Sequence, residues 1–167
     1  MAKLESIEFQ KFPNTRIIGC ELTHTIEQEA YNPIPALWEK MMADGTLQKL
    51  RGIAGAVEGY DIGWIGEFDG EHFTYIAGIA AQASAEVPQG MQFRDIAACD
   101  VAIGYIFGNL QNGDVYAAAY DLTVEGIKSN GYKIDSETAW SAEIYPTHMD
   151  FSAEEGRIAY LCAYSEN

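Results

Sequence analysis

Apolar residues along this chain fall mostly in short runs bounded by turn residues, which predicts strands, and in two stretches at helical spacing. Ile7-Glu8-Phe9 and Arg16 to Thr23 are β-branched and apolar, and Pro13-Asn14 between them reads as a turn or bulge in an extended ribbon. Asn32-Pro33 fits a cap followed by proline in the first helical turn. Ile34, Leu37, Trp38, Met41 and Met42 then recur at helical spacing as far as Gly45, predicting a helix over about 33–44 and a further turn at Leu47 to Leu50. Tyr60 to Phe68 and His72 to Ala80 are apolar runs joined by Asp69-Gly70, a dipeptide favoured in tight hairpins.

The second half repeats this order. Met91 to Asp95 and Ala98 to Phe107 are extended, and Val115 to Lys128 is helical, with Asp114 as N-cap and Asn130-Gly131 closing the helix. Trp140 to Tyr145 and Arg157 to Tyr164 make the last strand pair, separated by the acidic loop Asp150 to Gly156. At an offset of 85, Ile18-Gly19 overlays Ile103-Gly104, Leu37 overlays Leu122, Glu58-x-Tyr60 overlays Glu143-x-Tyr145, and Tyr75 overlays Tyr160. The expectation is one α+β domain over 1–167 with half-repeats at about 1–81 and 88–167 and a connector over 82–90. Two pseudo-symmetric β-α-β-β units would form an antiparallel sheet, with helices on one face and a ligand groove on the other.

Composition narrows the functions. The 167 residues are 48% hydrophobic, enough for a core, and 10 Lys+Arg against 25 Asp+Glu give a net charge of -15. That charge opposes the phosphate neutralisation that direct nucleic-acid binding needs and favours cations. No apolar run approaches a membrane span and the N-terminus has no signal-peptide pattern, so a cytoplasmic protein without membrane contact is expected. Cys20, Cys99 and Cys162 are widely spaced among apolar neighbours and read as buried thiols. His24, His72 and His148 stand apart with no ligand spacing around them, so neither metal nor cofactor is expected, and no nucleophile-elbow motif occurs.

Glu143 is the residue that asks for an explanation, because a carboxylate on an apolar, aromatic strand is costly to bury uncompensated. It is either a structural hydrogen-bond acceptor or exposed strand end, or a negative charge at the bottom of an aromatic pocket, which is the recipe for binding an organic cation. Alternation puts Glu143 and Tyr145 on one face with Ser141, and Trp140, Ala142 and Ile144 on the other. The more apolar set should meet the helices, leaving Glu143 toward the groove. Tyr60 and Trp64 share a strand face, with Tyr75 on the adjacent strand; strand aromatics of this kind serve as core or as ligand wall. Trp38 belongs to the apolar helix face, Phe107 ends a strand before Gly108, and Glu58 lies beside a glycine-rich loop facing water.

These residues resemble the GyrI-like, or effector-binding, domain found at the ligand-sensing end of multidrug-responsive AraC-type and MerR-type transcription activators and also as stand-alone proteins. The resemblance rests on Ile7-Glu8 through Arg16-Ile17-Ile18-Gly19, Leu37-Trp38, Phe73 to Gly78, Val87 to Met91, Ala97 to Ala102, Asn130-Gly131-Tyr132 and Glu143-Ile144-Tyr145. It implies two β-α-β-β units about a pseudo-twofold axis with a ligand groove between them. It also implies that Glu143 pairs there with cationic, lipophilic, often aromatic ligands. Tyr145 carries over with Glu143; Tyr60, Trp64, Tyr75, Phe107 and Trp140 join the expected ligand-binding set from their strand positions. The chain departs from the activators in having no helix-turn-helix region.

Binding of a small organic cation without chemistry is therefore the leading expectation. Two others come with the resemblance: a hydrolase of strained electrophilic genotoxins, in which the glutamate activates water, and a gyrase-inhibitor-like protein partner. A partner in the transcription machinery or gyrase itself would follow in those settings.

Overall fold

A computed structural model describes residues 1–27 and 31–167. Among the described residues it contains nine strands: β1 (Lys3–Phe12), β2 (Thr15–Thr25), β3 (Tyr60–Gly66), β4 (His72–Gln82), β5 (Gln92–Ile96), β6 (Cys99–Asn109), β7 (Tyr132–Ile134), β8 (Ser141–Pro146) and β9 (Glu155–Glu166). The helices are α1 (Ile34–Ala43), α2 (Thr46–Arg51) and α3 (Asp114–Ser129). The fold is α+β with antiparallel strand pairing, as the residue pattern predicts.

The chain divides into two compact units: a continuous unit, Asn14–Ala97, and a split unit made of Met1–Pro13 and Ala98–Asn167. These bounds differ from the half-repeats expected at 1–81 and 88–167, because each half gives its first strand to the other unit's sheet. β1 pairs with β6, from Lys3 opposite Phe107 to Phe12 opposite Cys99, and β5 pairs with β2. The reason lies in the links Pro13-Asn14 and Ala97-Ala98. Neither contains a positive-φ residue, so neither makes the two-residue turn that would fold a strand back on its successor.

In the continuous unit the strand order is β3-β4-β2-β5. Ile18, Tyr75, Ala77 and Ile79 meet Met41, Leu47 and Leu50 of α1 and α2 in one apolar cluster. α2 is also clamped to β3 through Arg51, whose Nε and Nη2 donate to Oδ1 and Oδ2 of the buried Asp61 at 2.9 and 2.5 Å. α1 starts at Ile34, whose N–H donates to Asn32 Oδ1 at 3.0 Å, while Pro33 holds the cap position. The β3–β4 connection is a five-residue loop rather than the tight turn Asp69-Gly70 suggests. Glu67 and Gly70 take positive φ, and Asp69 Oδ1 accepts from the N–H groups of Glu71 and His72.

The split unit has the order β1-β6-β9-β8, with β7 pairing β9. α3 lays Val115, Ala119 and Ile127 against Ala102, Ile106, Ile158 and Cys162. The helix comes close at Gly104, where a Cβ would stand 2.4 Å from Thr123 Oγ1. Thr123 turns that hydroxyl back on the helix, donating to the Ala119 carbonyl at 2.8 Å. α3 begins after Gly113, a left-handed residue, so Asp114 is its first residue and not its cap. Asn130-Gly131 closes it as expected, with Gly131 at φ 85.

The three cysteines are free thiols, Cys162 buried and Cys20 and Cys99 half-buried. Burial pushes the Cys162 thiol up to about 12, which leaves about one molecule in ten thousand as thiolate at pH 8. Iodoacetamide at that pH should therefore modify Cys20 and Cys99 while Cys162 stays unlabelled until denaturant is added. Peptide mass spectrometry reads the outcome; labelling of Cys162 in the native protein would contradict its placement.

Candidate functional site

β8 and β9 pair with Glu143 opposite Tyr160 and Ser141 opposite Cys162. Tyr160 and Cys162 belong to the cluster under α3, so Glu143 lies on the α3 side of its sheet. This corrects the expectation that the more apolar set of β8 meets the helix. Ala142 and Ile144 are buried on the opposite face, and Trp140 packs there against Phe12 with ring centroids 5.6 Å apart.

Around Glu143, α3 and the β8–β9 loop assemble a face of aromatic rings. Tyr116 and Tyr120 are four residues apart on α3, which places them one turn above each other. Tyr116 lies 6.3 Å from Tyr145, Tyr120 meets Tyr160 edge-on at 6.1 Å, and Phe151 meets Tyr145 edge-on at 5.6 Å. Tyr160 is 5% exposed and shares a 2.8 Å hydrogen bond with Ser141 Oγ. Tyr120 and Phe151, by contrast, are 46% and 40% exposed. A second group of rings in the same unit, Phe9, Tyr132 and Tyr164, sits at mutual centroid distances of 4.9 to 5.0 Å. The rings of that trio are in closer contact, whereas the rings near Glu143 are wider apart and two of them, Tyr120 and Phe151, are exposed.

The electrostatics of the face are simple. Burial raises the hydroxyl pKa of both Tyr116 and Tyr160, and the nearby Glu143 charge adds to the rise in each. Burial raises Tyr120 as well. The phenols are therefore neutral near pH 7, and the formal charge among these side chains is that of Glu143. Aromatic faces carrying negative quadrupole density around one carboxylate attract a cation that does not demand many hydrogen bonds.

The other expected site residues lie elsewhere. Phe107 is half-buried on the face away from α3, beneath Lys3 Nζ at 5.8 Å. In the continuous unit Tyr75 is fully buried on the helix side, its hydroxyl accepting from Trp38 Nε1 at 2.9 Å. Trp64 and Tyr60 take the opposite face of β3; Trp64 is 4% exposed and its Nε1 donor has no hydrogen-bond partner among the described residues. Glu58 is exposed ahead of β3. The residue that faces Tyr75 across β3 and β4 is Ile65, so the position matching Glu143 opposite Tyr160 carries no charge in this unit. A surface depression of about 410 Å³, also in the continuous unit, is lined by Asp44, Lys49, Pro88 and Met91 among others and by no aromatic ring.

Among the described residues no group of His, Cys, Asp and Glu could hold a metal ion, and no helix is long and apolar enough to cross a membrane. Tyr116, Tyr120, Tyr160 and Phe151 were not expected from sequence as site residues. The Tyr-x-x-x-Tyr spacing in α3 was the available signal for the first two.

The fold is that of a class of small-molecule binding domains. The sequence matches the family of GyrI-like small molecule binding domains over residues 5–156, and the chain belongs to that family. No curated protein sequence matches it. Solved structures share its fold. SAV2435 bound to tetraphenylphosphonium has a TM-score of 0.72 at 13% identity, covering 96% of this chain and 94% of that one. A protein of Staphylococcus aureus MU50 assigned to bacterial transcription regulation has 0.70 at 14%, covering 96% and 98%. The C-terminal domain of EcmrR has 0.60 at 9%, covering 97% and 98%. At these identities the likeness concerns the fold.

Proposed function

We propose that this domain binds a lipophilic organic cation on the tyrosine face of the split unit, without chemistry. Glu143 supplies the counter-charge, Tyr116, Tyr145 and Tyr160 supply ring faces, and Tyr120 and Phe151 form the exposed rim. The observation that carries this reading is the half-buried carboxylate of Glu143 among neutral phenols. Membership of a small-molecule binding family supports it, as does the tetraphenylphosphonium held by SAV2435. The chain's charge of -15 adds a long-range pull on cations.

The test compares ligands of similar bulk and different charge. Tetraphenylphosphonium should bind with a Kd in the micromolar range, about -8 kcal/mol. Neutral triphenylphosphine oxide should bind at least about tenfold more weakly than methyltriphenylphosphonium, which carries the same three rings, since it keeps those ring contacts and loses the Coulomb attraction. Isothermal titration calorimetry of each decides it. Equal affinities of the oxide and methyltriphenylphosphonium would remove the cationic part of the reading.

A further inference from the structure

Residues 147–154 link β8 to β9 and carry Phe151, whose edge rests on Tyr145. Within this link Ala153 N–H donates to the Asp150 carbonyl at 3.3 Å, and Ser152 N–H and Oγ donate to Asp150 Oδ1 at 2.9 and 2.5 Å. Met149 N–H reaches only to the Pro146 carbonyl at the end of β8. Thr147, His148, Asp150, Phe151 and Ser152 are all exposed. Among the described residues, what hydrogen-bonds 150–153 to a distant part of the chain is one side chain. Gln111, between β6 and α3, donates from Nε2 to the carbonyls of Phe151 at 3.0 Å and Ala153 at 2.8 Å. Gln111 is itself anchored. Its N–H donates to Asn109 Oδ1 at 2.9 Å, and the neighbouring Leu110 N–H donates to the Glu154 carbonyl at 2.9 Å.

We propose that Gln111 is a positioning residue for the ligand site: it pins the 147–154 segment as a strap that holds Phe151 against Tyr145 and closes behind a bound cation. This rests on the tyrosine face being the ligand site. Both N–H groups of one amide are spent on this segment, which otherwise has the exposed, weakly packed character of elements that open locally. A cation leaving the site has Phe151 in its way, so the strap acts on the dissociation rate more than on association. Asp150 and Glu154 travel with the strap and keep negative charge at the rim, which favours cation entry whether the strap is open or closed.

The variant Gln111→Met keeps the side chain's length and removes its donors at an exposed position, so the fold is retained. In stopped-flow displacement of tetraphenylphosphonium it should dissociate about tenfold faster, with the association rate changed less than about twofold. Amide hydrogen exchange at 150–153 should speed up alongside it, a readout a purely structural role elsewhere would not move. Phe151→Ala should also speed dissociation, and the double variant should be no faster than Phe151→Ala alone. An unchanged dissociation rate in Gln111→Met, with or without faster exchange, overturns the proposal, as do multiplicative effects in the double variant. If the wild type binds no tetraphenylphosphonium, the ligand reading fails first and the strap's role falls with it. Binding that depends on Glu143 but ignores Gln111 sinks the strap alone.

Discussion

Glu143→Gln should weaken tetraphenylphosphonium binding by about 10- to 100-fold while leaving the unfolding temperature nearly unchanged. Two unit charges about 5 Å apart attract by about 3 kcal/mol at an effective dielectric of about 20. Glu143 is only half-buried, so solvent screens part of this and a loss of about 1.5–3 kcal/mol is expected. Glutamine preserves the shape of the face, and the ring contacts, each worth about 0.5–1 kcal/mol at an exposed site, remain. Binding should therefore be reduced rather than abolished. Removing the rings has the opposite profile: Tyr145→Ala keeps the charge and loses the surface that accepts the ligand's apolar bulk. Calorimetry on the two variants with the phosphonium separates the contributions, and a Glu143→Gln affinity equal to wild type would show that the charge is not used.

Gly78→Ala should cost at least about 3 kcal/mol of stability and lower the unfolding temperature by roughly 6 °C or more. Gly78 faces Gly19 across β2 and β4. A Cβ on Gly78 would stand 2.0 Å from the Ile18 carbonyl oxygen, and one on Gly19 would stand 2.0 Å from that of Ala77. Both obstacles are backbone, so no rotamer change relieves them; the two strands would have to separate where the continuous unit's sheet is buried. Against a typical total stability of about 5–15 kcal/mol this is a severe loss. Ala80→Gly, two residues along the same strand, adds no atoms and, with the loss of one buried methyl, should cost about 1–2 kcal/mol. Thermal melts followed by circular dichroism compare them, and a Gly78→Ala midpoint within about 2 °C of wild type would show that the strands can part freely there.

How far the sequence led depends on which physical rule each residue obeys. Strands and helices were legible because β-branched runs and helical spacing are local signals. β7 was not, since three residues after Gly131 are too few for a pattern. The strand exchange at Pro13-Asn14 was hidden because a missing turn says only that a strand continues, not which partner it meets. For Glu143 the limit is sharper. Alternation tells which residues of β8 share a face, but only the pairing with Tyr160 tells which face that is. The expectation failed because both faces of β8 bury side chains, so the more apolar set did not mark the helix side. The offset of 85 likewise aligned Glu58 with Glu143 correctly as letters. Pairing across the strands shows that the position opposite the shared tyrosine is Ile65 in one unit and Glu143 in the other.

The exchange of first strands also sets an order in which the molecule can be made. β1 leaves the ribosome well ahead of its partners in β6, which lie 87 to 104 residues further on, from Phe12 with Cys99 to Lys3 with Phe107. At about 5–20 residues per second, that strand waits several seconds or more with an unsatisfied edge. The continuous unit has all its strands by Ala97 and can close while β1 is still unpaired. Nascent chains halted soon after residue 97 has left the exit tunnel should therefore show protease-resistant structure that begins near Asn14, with the first dozen residues still cleavable. Protection of that N-terminal strand should arrive only with β6.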